Sequence, residues 1–209
     1  MISEVFIQNY TDFPFDEKEI LRYAGCKEID QDSEVVQLMR DCINEVSRQK
    51  ACTFNLSYRI LPIKSMKEGN IDFEAVKIQS HDLERCLKDC NRVVFMAATI
   101  GHGYDRLIQK YKRIDSARTL FLQAIGAERI ETMLDTFCKE LPGKIEAITG
   151  EKDISIRPRF SPGFGDLTLK IQPQVLEIFN AYKRLGISLN DSLLMSPSKS
   201  VTAIIGIYK

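Results

Sequence analysis

The chain has 209 residues, 44% hydrophobic and 28% charged, with 29 Lys plus Arg against 29 Asp plus Glu. That is enough for one large domain or two small ones around a real core, and a surface without basic excess argues against a dedicated nucleic-acid binder. No apolar run is long enough to cross a membrane, and Met1-Ile2-Ser3-Glu4-Val5 lacks the basic start and apolar core of a signal peptide, so a cytoplasmic setting is expected.

In such a setting the six cysteines, at 26, 42, 52, 86, 90 and 138, are expected to be free thiols. Cys86 and Cys90 could share a helix face, but only His81 lies near them, so no metal site is expected.

The first segment, Val5–Ile7, reads as a short strand. Helical spacing at Ile20, Leu21 and Ala24 predicts a helix over 16–24 that stops at Gly25. A second helix is predicted over 33–50, with Val35, Leu38, Met39, Cys42, Ile43 and Val46 as its apolar stripe. Residues 53–60 alternate strictly, which predicts a half-buried strand. After a turn at Glu68-Gly69-Asn70, residues 71–78 are expected to pair back as a hairpin. Ser80 is a good N-cap for a helix through Asp89.

The run Arg92–Ile100 is continuously apolar after its first residue and reads as a central strand buried on both faces. Gly101-His102-Gly103 then leads into a helix over 104–112. A strand, a glycine turn and a helix start can bind an anion, but the lysine and hydroxyl of a P-loop are absent. His102 is read as a surface-loop histidine. The longest helix is predicted over 115–141, loosened at Gly126 and ended by Pro142-Gly143, with a short polar helix continuing to Gly150. Pro173 suits the first turn of a helix reaching Leu185 and stopping at Gly186. Met195–Lys199 is a turn, and Ser200–Tyr208 a terminal strand.

Between these elements lies Arg159-Phe160-Ser161-Pro162-Gly163-Phe164-Gly165-Asp166. Arginine offers a planar fork of donors suited to a carboxylate or phosphate. Gly163 permits close approach of the backbone, and Pro162-Gly163 is a turn expected to expose amides. Phe164 can stack on a flat heterocycle. Taken alone, the pattern reads first as a connecting loop; the functional reading is a site for a small molecule carrying both a carboxylate and a ring. The expected fold class is α+β: a single domain over 1–209 with a mainly antiparallel twisted sheet packed by helices. Residues 1–50 form its helical N-terminal part and 51–209 the α+β body that carries the ligand loop.

Two separate motifs then resemble one family, the activation (reactivation) domain of cobalamin-dependent methionine synthase. Arg159 to Phe164 fits its R-x-x-x-G-[YF] S-adenosylmethionine loop. Met195-x-Pro197-x-x-Ser200-Val201, followed by an apolar strand, is similar to the segment that closes the fold. Asp16–Gly25 resembles the family's N-terminal helix, and Thr99–Gly103 a loop of its small free-standing members. The resemblance implies a free-standing activation subunit that presents S-adenosylmethionine to a partner. That partner is a cobalamin-dependent methionine synthase or a similar corrinoid protein, which supplies the cobalamin; flavodoxin or another reductant supplies an electron.

By that resemblance, Arg159 binds the methionine carboxylate, and Phe160, Ser161 and Gly163 line the adenosyl portion. Phe164 stands where the family often has tyrosine. Asp16 is the candidate for the ligand's ammonium group and Glu131 a further acidic residue facing the site. The alternatives are a plain helix N-cap for Asp16 and a solvated helix charge for Glu131. No residue is assigned acid–base catalysis. The D-x-H-x-x-G cobalamin signature is absent, since neither His81 nor His102 sits in one. The larger fused domains also contribute tyrosines beyond the terminal strand, so weak ligand binding before partner docking is expected. Activation of another corrinoid methyltransferase, or a non-catalytic small-molecule-binding module of the same fold, remain alternatives. An independent methyltransferase is disfavoured, for want of a Gly-rich loop after an early strand.

Overall fold

In the computed structural model, residues 4–26, 30 and 32–209 are described. The opening Met1-Ile2-Ser3 of the signal-peptide argument lies outside them. The centre is a five-stranded antiparallel sheet in the order β1-β2-β6-β10-β7. Its strands are β1 (Phe6–Tyr10), β2 (Phe54–Pro62), β6 (Arg92–Thr99), β10 (Ser200–Tyr208) and β7 (Ser155–Ile156). The α+β class and antiparallel sheet are as expected from the sequence.

Strand alternation divides the core in two. On one face, Leu56, Tyr58 and Ile60 of β2 join Val94, Met96 and Ala98 of β6, and Ala203, Ile205 and Ile207 of β10. Four helices cover them: α1 (Glu17–Tyr23), α2 (Glu34–Arg48), α4 (His102–Tyr111) and α5 (Ser116–Thr149). Val36 and Met39 of α2 and Ile20 of α1 sit in this same core, so the N-terminal residues pack as part of the body. On the other face, Leu61, Val93, Phe95, Ala97 and Ile204 meet a second cluster. It draws on a small sheet of β3 (Ser65–Lys67), β4 (Asn70–Asp72) and β5 (Lys77–Gln79), on α3 (His81–Cys86), and on α6 (Gln172–Phe179) and α7 (Ala181–Leu185). A further pair, β8 (Ser188–Leu189) and β9 (Met195–Ser196), precedes β10.

Several expectations are corrected. β2 is not half-buried: Ser57, on the face expected to meet water, is fully enclosed, because α6 and α7 cover that side. The hairpin over 71–78 is two very short strands, β4 and β5, in a three-stranded meander. α3 stops at Cys86 rather than Asp89, which adopts φ 66°. The helix expected over 173–185 is broken at Asn180, whose left-handed φ of 51° turns the chain so that Phe179 and Ala181 are both buried.

The largest correction is Pro142, which lies inside α5 instead of ending it. A proline in a helix interior costs about 3 kcal/mol. Against that, Leu141 and Ile145 on either side are fully buried, each worth roughly 1.5–3 kcal/mol. Tyr10 donates to Glu140 at 2.9 Å and Lys144 to the Gln8 side chain at 3.0 Å, tying this stretch to β1. Tertiary packing outweighs the lost backbone bond.

Gly126 does not loosen α5 either. A Cβ there would strike the ring of Tyr104 and come 2.9 Å from Lys199 Cε. The glycine is where α4 and the Lys199 side chain close onto the long helix.

Candidate functional site

One face of α5 organises the predicted residues. Glu128, Glu131, Thr132 and Asp135 recur at helical spacing and share that face. At one end, Asp16 caps α1 by accepting from the amides of Lys18 and Glu19 at 3.0 and 3.1 Å. Its own amide donates to Glu128 Oε1 at 3.3 Å. At the other end, Arg159 donates to Glu131 Oε2 at 2.7 Å and to Asp135 Oδ1 at 2.8 Å. Glu131 lies about 4.5 Å along the axis from Glu128, at 1.5 Å per residue. The structure therefore gathers Asp16, Glu131 and Arg159 along one strip of helix.

The Arg159 side chain is only 22% exposed, whereas those of Glu131 and Asp135 are 40% and 61% exposed. Burial pulls its acidity one way; the bonds to Asp135 and Cys138 and the field of Glu131 outweigh that and hold the cation firmly charged. Burial also pushes the Cys138 thiol up, against the pull of Arg159, whose nitrogen is 3.7 Å from its Sγ. Among the described residues Arg159 Nε has no acceptor, so that donor of the fork is uncommitted. Asp135 was not among the sequence candidates. The signal was its i,i+4 spacing from Glu131, which puts both carboxylates on the Arg159 side of α5.

The loop itself is more tightly folded than its sequence suggests. Phe160 forms a bridge with Ile204 of β10, its N–H and C=O both used at 2.9 and 2.8 Å. The amides expected to be exposed by Pro162-Gly163 are turned inward. Gly163 donates to Leu167 O at 2.7 Å and Phe164 to Ser161 O at 3.1 Å. Gly163 adopts φ 98°, a backbone shape that disfavours a side chain. What the loop does present is the Phe164 ring, 65% exposed at its tip.

The Gly101-His102-Gly103 turn is not a second site. The Thr53 hydroxyl fills the place of a Cβ on Gly101, and Ala51 O lies 2.8 Å from one on Gly103. These glycines admit the α2–β2 connection, while His102 Nε2 is bonded to Gly186 O at 3.0 Å. All six cysteines are unpaired. Among the described residues no group of three or more His, Cys, Asp or Glu could hold a metal ion, and no helix is long and apolar enough to cross a membrane.

The other charged cluster in this region is structural. Arg129 is completely buried and donates to Glu128 at 2.6 Å through two nitrogens, to Phe13 O at 2.6 Å and to Pro14 O at 2.7 Å. Its guanidinium lies 3.8 Å from the Phe15 ring centroid. It fixes the segment between β1 and α1, and so sets where Asp16 stands.

No protein-family model matches the chain, and no curated protein matches it in sequence. Its fold, however, has solved counterparts. A crystal structure of the MetH reactivation domain bound to AdoHcy is similar to this chain with a TM-score of 0.69 and 13% sequence identity, over 97% of this chain and 78% of that one. The architecture is that of the reactivation-domain fold.

Proposed function

We propose that this protein binds S-adenosylmethionine at the Arg159 loop and acts as an activation subunit for a partner cobalamin-dependent methionine synthase. The observation that carries the reading is Arg159 held between Glu131 and Asp135, in a fold shared with a domain bound to AdoHcy. One cation and two carboxylates leave the cluster with a net negative charge. S-adenosylmethionine combines a carboxylate, an ammonium and a sulfonium, and is net positive. The free Nε–H of Arg159 suits its carboxylate. Glu131 and Asp135, with Asp16 further along α5, suit its cationic groups, and Phe164 suits its adenine ring.

An electron from a reductant such as flavodoxin, together with the sulfonium methyl group, converts the partner's cob(II)alamin to methylcobalamin and leaves S-adenosylhomocysteine. The donor's methyl is already activated, so no proton need be moved at the site. The work of this chain is to bind the donor, orient its methyl group outward and hold it still, which is a contribution of proximity. Phe164, exposed at the loop tip, is open to a docking partner. A cytoplasmic setting accords with free thiols and with a reductant-dependent partner.

The test is reconstitution. The protein is mixed with a methionine synthase lacking its own activation domain, oxidised cobalamin, a reductant and methyl-labelled S-adenosylmethionine. Labelled methylcobalamin above a control without this chain is expected; none would refute the activation role. Calorimetry tests the site separately. Arg159→Ala is expected to weaken S-adenosylmethionine binding tenfold or more, and equal affinity in the variant would remove Arg159 from the site. Binding without activation would mark the protein as a small-molecule-binding module.

A further inference from the structure

The far end of the ligand loop is fastened by a reciprocal set of bonds to α3. The Asp166 carboxylate accepts from the Ser80 hydroxyl, from the His81 amide at 2.7 Å and from the Asp82 amide at 3.3 Å. Asp82 Oδ2 accepts in return from the Asp166 amide at 3.1 Å. The partners are 84 to 86 residues apart in sequence, so this is a tertiary joint rather than a local turn. Gly165 completes it: its φ is 52°, and the Asp82 carboxylate occupies the space a Cβ would need. α3 is in turn clamped to the small sheet, with Gly69 N donating to Glu84 at 2.6 Å and Ser80 N to Gly69 O at 2.7 Å.

Between this joint and the Phe160–Ile204 bridge lie Ser161 to Gly165, five residues held at both ends. Leu167 N bonds Phe164 O at 3.0 Å just past the joint. Phe164, the largest side chain in that span, is exposed, whereas nearby Pro162 is buried. The place of Phe164 is therefore set by the loop backbone, which its own turn bonds, the buried Pro162 and the two anchors hold. The β-bridge uses backbone alone and holds one end; Asp166 holds the other through its side chain.

We propose that Asp166 is a positioning residue, fixing the loop conformation through α3 and thereby setting affinity for the ligand. The proposal rests on the S-adenosylmethionine reading for its ligand but not for its mechanical part. Substituting Asp166→Asn keeps the size of the side chain and removes one acceptor and the charge. Asp82→Asn disturbs the return bond, together with the exposed Asp82–Arg85 pair, and serves as a second variant should the first fold poorly. Ser33→Ala, which removes the N-cap of α2 far along the chain, is the control for general loss of stability.

Two readouts separate the questions. Hydrogen exchange at the Gly163, Phe164 and Leu167 amides, measured without ligand, is expected to speed up at least tenfold in Asp166→Asn and not in Ser33→Ala. Unchanged exchange overturns the anchor. Calorimetric titration with S-adenosylmethionine is expected to show at least a tenfold rise in Kd for Asp166→Asn, with Ser33→Ala unaltered at a comparable Tm. Faster exchange with unaltered Kd overturns the positioning role. A wild-type protein that binds no S-adenosylmethionine overturns the function proposed above, while the exchange data still decide the anchor.

Discussion

Arg159 and Asp16 reach the same strip of α5 from two distant parts of the chain. Arg159 holds Glu131, and the amide of Asp16 holds Glu128 one turn away. The two residues are 143 positions apart (159 − 16), and each bonds an acid of the same helix.

This arrangement predicts discrimination by ligand charge. Glu131→Gln combined with Asp135→Asn removes the negative excess while keeping hydrogen-bonding shape. Affinity for S-adenosylmethionine should fall about tenfold, or ~1.4 kcal/mol, whereas S-adenosylhomocysteine, which lacks the sulfonium charge, should lose much less. Titration calorimetry with both ligands reads the difference; parallel losses would mean that the acids do not sense the sulfonium.

The buried Arg129–Glu128 pair predicts a large asymmetry between single and double replacement. Arg129→Met strands the Glu128 carboxylate, which is 2% exposed, along with the carbonyls of Phe13 and Pro14. Loss of about 3–5 kcal/mol is expected. Adding Glu128→Gln should recover part of it. Urea denaturation of the two variants gives the comparison, and a double variant no better than the single would count against the pair.

Gly126→Ala sets helix propensity against packing. Alanine favours the helical backbone by about 1 kcal/mol. Its Cβ would meet the Tyr104 ring, which is fully buried and pinned by a 2.7 Å bond from its hydroxyl to Leu122 O. Overpacking costs roughly 1–3 kcal/mol, so net destabilisation by about 1 kcal/mol is expected. A rise in the urea midpoint would show that Tyr104 yields.

Glu45 predicts one limb of the pH profile. Burial pushes its carboxyl up, but bonds from Lys110 at 2.8 Å and Tyr111 at 2.8 Å, with the field of Arg118, hold it below the usual carboxylate range. A depressed folded pKa means that its contribution is complete at neutral pH and is lost as pH falls through and below the ordinary range near ~4. Glu45→Gln should therefore cost about 1–3 kcal/mol at pH 7 and flatten the acid limb of stability against pH. An acid limb of unchanged slope in the variant would assign that limb to other groups.

Local signals in the sequence were read correctly where a single residue fixes the outcome. Ser80 caps α3 as expected, Asp16 caps α1 as its alternative reading had it, and the apolar run of β6 is central and buried. The misreadings share one cause, which is that packing from far along the chain decided the matter. Pro142 is carried through a helix by Leu141 and Ile145 beneath it. Ser57 is buried by helices that begin over a hundred residues later. At the site, Arg159 and the Phe164 tip were legible as a charge and a ring near a turn. Asp135 and the Ser80–Asp166 joint were not, because each depends on which helix happens to lie opposite.

The position of β10 bears on how the molecule is made. It pairs with β6 from Ser200 to Ile207 and with β7 at its end, yet it is the last strand of the sheet to leave the ribosome. Until Ser200–Tyr208 emerges, β6, whose side chains from Val93 to Thr99 are all buried in the native state, has one edge unpaired, and β7 has no strand to join. A nascent chain stalled before Ser200 is thus an open, apolar sheet edge of the kind that recruits other strands. Closure of the fold and protection from aggregation arrive together, in the final strand.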